Sequence, residues 1–188
     1  MMTVVKDAIS KEKQHATYAM TKVQLYNTMQ KQFAQYDATL VLLDHGRWGV
    51  MKDGQLRSTF LVKNSKNWVN DPKATSLVGR FRFRSWTAVY PSDLEADVDF
   101  YVMAVTQRQP EMIDMIVLNK DQLQKLWDDP RRKSASNGSK FFYFGQLLTG
   151  RLGDARFAKS ANKGYEGWID LDKSLLNNYE MLVNDCEK

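Results

Sequence analysis

The chain has 188 residues, 43% hydrophobic and 12% aromatic, with a net charge of +5; this excludes wholesale disorder and suits one α/β domain spanning 1–188 that needs no staples. A single cysteine, Cys186, excludes an internal disulfide or a cysteine-based zinc site and points to a reducing, cytoplasmic setting. Residues 1–14 hold no apolar core of signal-peptide length, and the apolar runs at 40–43, 100–105 and 115–118 are too short to cross a bilayer, so no membrane association is expected.

Residues 1–9 are expected to fray. Ala19, Val23, Tyr26, Met29, Phe33 and Tyr36 recur at steps of three and four, which predicts a helix over 10–36 with that stripe on a core. The run ATLVLLD at 38–44 reads as a buried strand, His45-Gly46 as a turn and 47–51 as a second strand. Asp53-Gly54 is a hairpin turn, and alternation over 56–63 predicts a third strand with Leu56, Ser58, Phe60 and Val62 on one face. After a polar loop, RFRFRSWTAVY at 80–90 predicts one strand, with Phe81, Phe83 and Ser85 on one side and Arg80, Arg82, Arg84 and Trp86 on the other. Segments 97–105 and 112–118 read as an antiparallel pair, 120–127 as a short helix stopped by Pro130, and 128–140 as a mobile loop. The stretch 141–148 is strand-like, 150–164 is irregular and basic, and 172–183 makes a closing helix with Asp172 at its N-cap. The fold class that follows is α/β, a central mixed β-sheet flanked by helices.

No glycine-rich phosphate loop and no HExxH occurs, and the two histidines, His15 and His45, stand far apart in the chain. Two blocks are basic, 47–90 and 120–163, with an acidic stretch at 91–119 between them. Such blocks attract polyanions, although a solvated basic surface has the same composition. Arg80, Arg82 and Arg84 alternate as strand neighbours, so their guanidiniums could grip phosphates while Trp86 offers a stacking face. The same row could instead pair with Asp93, Glu95, Asp97 and Asp99, or guard a sheet edge. Arg131 and Arg132 would add a phosphate contact from their loop. Trp68, Trp127, Trp168 and the FFYF run read as core or interface.

The order of helix, strand, strand with an Asp-Gly hairpin, strand ending in Val62-Lys63-Asn64-Ser65, then a basic polar loop, resembles the PD-(D/E)XK nuclease superfamily. SWTAVYPSDLEADVDFYVMAV at 85–105, followed by MIVLNKDQLQKLW at 115–127, extends that resemblance over roughly residues 15–127. It implies a restriction-endonuclease-like sheet whose edge holds Mg²⁺ on acidic side chains, with a lysine polarising the attacking water or the phosphate. Lys63 falls on the lysine position, and Ser65 and Lys66 on the polar positions after it. Two positions before the lysine, where the motif wants Asp or Glu, stands Leu61; the first acid would fall near Trp48 or Gly49, which leaves Asp44 as the carboxylate for a metal. The resemblance thus implies a scaffold that has lost the metal site and kept a basic face for nucleic acid, DNA favoured. Two alternatives stay open: an active Mg²⁺-dependent DNA endonuclease using Asp44, Lys63 and Ser65, and an interaction module, an inhibitor or accessory subunit, docking on an acidic protein.

Overall fold

The computed structural model describes residues 19–68, 81–107, 112–155 and 168–184. In chain order the first elements are α1 (Lys22–Phe33), β1 (Ala38–Leu42), β2 (Trp48–Lys52), β3 (Gln55–Lys66), β4 (Phe81–Arg84), β5 (Thr87–Val89) and α2 (Pro91–Leu94). They are followed by β6 (Phe100–Thr106), β7 (Ile113–Asn119), α3 (Lys120–Trp127), β8 (Lys140–Phe142), β9 (Phe144–Leu147), β10 (Leu152–Ala155), β11 (Trp168–Leu171) and α4 (Tyr179–Val183).

Thr21 starts α1 with a capping box: its hydroxyl accepts from the Gln24 N–H while the Gln24 side chain answers the Thr21 N–H. The buried face is Leu25, Met29 and Phe33, at steps of four, with Thr28. Val23, which periodicity placed on the stripe, is 69% exposed. At 3.6 residues per turn it lies ~120° round the helix from Met29. The part of the expected helix before residue 19 lies outside the described residues.

The meander forms as expected, and Asp53 and Gly54 both take the positive φ (52° and 73°) that a two-residue Asp-Gly hairpin turn uses. β3 runs beyond the predicted end and pairs parallel with β6, from Phe60 beside Phe100 to Lys66 beside Thr106. The expected antiparallel pair is β6 with β7. The result is a mixed five-stranded sheet in the order β1-β2-β3-β6-β7. Every residue of β6 is buried because both faces of the sheet are covered. Phe100, Val102 and Ala104 join the core shared with α1 and α4, whereas Tyr101, Met103 and Val105 join a second core with Phe83, Phe142, Phe144 and Leu123.

That second core is roofed by smaller antiparallel sheets. RFRFRSWTAVY does not make one strand: β4 joins a four-stranded sheet ordered β11-β10-β9-β4, while β5 pairs with β8. The 141–148 run divides at the matching place, and the Ser85 N–H donates to the Phe144 carbonyl (2.7 Å) across the break. Two kinked strands thus form one ribbon that changes sheet midway. Strands β10 and β11 were not anticipated. Gly153 lets them close, since a Cβ there would lie 2.5 Å from the Ile169 carbonyl and the Trp168 ring. The closing helix also divides, for Asn177 at φ 53° separates a 3-10 turn capped by Asp172 from α4.

Each edge of the five-stranded sheet has outward polar groups met from elsewhere in the chain. Along β1, Gln30 accepts from the Leu40 N–H (2.7 Å) and donates to the Ala38 carbonyl (3.4 Å), and the Tyr26 hydroxyl donates to the Leu40 carbonyl (2.8 Å). Along β7, the Asn177 side chain and backbone satisfy both polar groups of Met115 at 2.8 Å. An unsealed edge would template pairing with another strand.

Candidate nucleic-acid interface

Lys63 lies on the half of β3 that continues past its pairing with β2. Its ammonium is 2.7 Å from Asp93 Oδ2, an oxygen that also accepts from the Tyr90 N–H (2.7 Å) at the start of α2. The Tyr101 hydroxyl donates to the Asp93 carbonyl (2.8 Å), which fixes this turn against β6. Asp44 has another partner: its carboxylate takes a hydrogen bond from Arg47, which holds its pKa below the usual carboxylate value. The Ser65 hydroxyl is buried, donating to the Lys66 carbonyl (2.8 Å) and accepting from the Trp86 N–H (3.0 Å). Among the described residues no three Asp, Glu, His or Cys side chains converge as metal ligands. A hard divalent cation needs several oxygens, and neither Leu61 nor an Arg-bound Asp44 makes such a set. The residues present do not fit Mg²⁺.

Of the expected outward row of arginines, Arg82 is exposed and Arg84 is buried, so these two do not share an outward face. Arg80 lies outside the described residues. The register of β4 against β9 shifts between Phe81 and Phe83, so that two residues of β4 oppose one of β9 and the simple alternation is lost. Arg82 leans to Gln146 Oε1 (3.3 Å) and to the buried Asp114 carboxylate (3.5 Å). Arg84 is 7% exposed, with its guanidinium carbon 5.6 Å from the centroid of the Phe81 ring. The carboxylate that answers Arg82 is therefore Asp114, outside the 93–99 segment suspected from the sequence.

Arg131 and Arg132 part company. Arg131 is exposed and clasps Asp129 through Nε (3.0 Å) and a terminal nitrogen (2.8 Å). Arg132 is buried, pairs with Asp154, donates to the carbonyls of Leu126 (2.9 Å) and Phe141, and lies 3.6 Å over the Phe142 ring. The 128–140 segment, expected to be a mobile loop, is built on that side chain and closed by a turn in which the Gly138 N–H donates to Ala135 (2.9 Å). Arg132 is thus placed inside the fold, not on a surface facing phosphate.

What the structure does bring together is aromatic. Trp86 is 45% exposed and sits among three other rings: Trp68 at 5.3 Å, Phe141 at 5.6 Å and Tyr143 at 6.2 Å, the last nearly parallel at 21°. The Lys66 ammonium lies 3.8 Å above the Trp68 ring. Three contacts hold this platform in place. Ser65 takes the Trp86 N–H, the Trp68 N–H donates to the Arg84 carbonyl (2.8 Å), and β5 pairs with β8 so that Ala88 faces Phe141. Burial pushes the Tyr143 hydroxyl pKa up, and the positive charge of Arg84 partly offsets that rise. Further along, Tyr90 is exposed with the Lys63 ammonium 5.4 Å from its centroid. Lys66 and Trp86 were singled out from the sequence. Trp68, Phe141 and Tyr143 were assigned to core or interface, and only the pairing of two remote strands could reveal them.

The chain matches no family model, no curated protein and no solved structure.

Proposed function

We propose that this chain binds nucleic acid, on a restriction-endonuclease-like scaffold that does not cut. The observation that carries the reading is the half-exposed Trp86 platform with the Lys66 ammonium beside it. Ring faces take up nucleobases and an adjacent cation takes up phosphate, a combination that tolerates sequence because every base has a π-face. The net charge of +5 favours encounter with a polyanion. The scaffold reading is supported by the order of α1 and the β1-β2-β3 meander, with a crossover to the parallel neighbour β6. Binding without cleavage is supported by Lys63 being tied to Asp93 and Asp44 to Arg47, with Leu61 contributing no oxygen.

Fluorescence anisotropy with end-labelled oligonucleotides across a salt series tests this. Log affinity should fall with log salt, by a slope of about −0.7 for each phosphate of a single strand that a cation neutralises. The Trp86→Ala/Lys66→Ala double variant should lose most of the affinity. An absence of binding in low salt, or equal affinity in the double variant, would overturn the proposal. Plasmid incubated with Mg²⁺ or Mn²⁺ should stay intact; nicking that disappears in Lys63→Ala would restore the nuclease alternative.

A further inference from the structure

We infer that the platform takes unpaired bases, so that single-stranded nucleic acid is the ligand and duplex is not. This rests on the nucleic-acid reading above and narrows it. In a duplex the base faces are already stacked on one another, and a protein ring reaches them only by forcing bases apart or flipping one out, which costs free energy. A single strand offers those faces without that cost.

The shape of the site agrees with the second case. Trp86 stacks on Tyr143 and is flanked by Trp68 and Phe141, so the indole is braced from below and beside while 45% of the residue stays open. Its backbone is fixed by the buried Ser65 hydroxyl, so the ring is set before any ligand arrives. A braced ring with an open surface is a receiving plane and lacks the projecting wedge that unstacks a duplex. Lys66 lies over Trp68, the ring 5.3 Å from Trp86, where it can meet a phosphate of the strand whose base covers Trp86. Beyond it, Tyr90 with Lys63 repeats the pairing of ring and ammonium four residues on, at most roughly 13 Å away at about 3.3 Å per residue. The Lys63 charge is offset there by Asp93, so this second station contributes its ring more than its charge.

The test uses the full chain with three fluorescein-labelled probes, a dT20 strand, an rU20 strand and a 20-base-pair DNA hairpin, against wild type, Trp86→Ala and Trp86→Phe. Because Trp86 is half exposed, both variants should fold, which thermal unfolding followed by circular dichroism would verify. The expected result is single-strand affinity at least tenfold above that for the hairpin. Trp86→Ala should lose about tenfold on the strand, in keeping with one lost stacked base, and leave the hairpin unchanged, while Trp86→Phe retains most of the binding. The dT20 and rU20 arms report which sugar is preferred, and either preference supports the inference. Equal or tighter binding of the hairpin, or no effect of Trp86→Ala on the strand, overturns the inference and leaves the broader nucleic-acid reading standing. Failure of all three probes to bind at low salt overturns both.

Discussion

Two cations in this protein lie over aromatic rings at almost the same distance, Arg132 at 3.6 Å from Phe142 and Lys66 at 3.8 Å from Trp68, and they do opposite things. Arg132 is enclosed, ion-paired to the fully buried Asp154, and joins the segment after α3 to β8 and β10. Lys66 is only half-buried, on a strand end next to an open indole. The contrast shows that a basic residue is available to a ligand only where the protein's own carboxylates have not claimed it. Lys63, three residues from Lys66 on the same strand, illustrates the intermediate case through Asp93.

Breaking the enclosed side should have the largest effect. Asp154→Ala removes the carboxylate that pairs with the buried Arg132 guanidinium and accepts from the Tyr143 N–H. The expected cost is about 3–5 kcal/mol of stability, read as a lower urea midpoint. A shift of under about 1 kcal/mol would mean that Arg132 swings out to solvent, and the contrast with Lys66 would fail.

On the open side, Lys66→Ala should leave the urea midpoint nearly unchanged and weaken single-strand binding by about fivefold, the worth of one half-buried cation near a ring and a phosphate. Unchanged affinity would remove Lys66 from the interface.

The intermediate case can be converted. Asp93→Asn keeps an acceptor for the Tyr90 N–H but removes the charge that holds Lys63. Stability should fall by about 1 kcal/mol, and affinity for a strand should rise by about two- to threefold as the ammonium is released. A fall in affinity would show that the pair itself shapes the site.

The smallest effect is expected at the exposed Arg151–Asp170 pair on the roof sheet. Hydrogen bonds from Arg151 and then from Trp168 hold the Asp170 pKa below its ordinary 3.8. Because the folded-state value is the lower one, this contribution is fully present above pH 3.8 and fades as the pH drops through the folded value. Solvent screening keeps it under about 1 kcal/mol. Asp170→Asn should therefore differ little from wild type at pH 7, and the difference should vanish in acid titrations followed by circular dichroism.

Much of the central sheet was legible because its signals are local. The Asp-Gly turn, the alternation of β3, the apolar runs that became β6 and β7, and the α3 segment each specify their own backbone within a few residues. The roof was less legible. Gly153 marks a close approach between strands, but nothing nearby in the chain says which strand comes close. One bulge at Arg82 was enough to part Arg82 from Arg84, which strict alternation had placed on one face.

The sequence by itself determined an α/β chain with a helix, a meander and an antiparallel pair, since those follow from side-chain period and turn chemistry along a short stretch. The parallel pairing of β3 with β6, by contrast, joins residues 40 positions apart. Only the tertiary structure decided which charges are spent and which rings meet. Asp154 lies 22 positions from Arg132, and Ser65 lies 21 positions from the Trp86 N–H it accepts. Hydrogen-bonded ion pairs and ring contacts form only within a few ångströms, so they depend on the separations that folding sets between remote segments and not on their spacing along the chain.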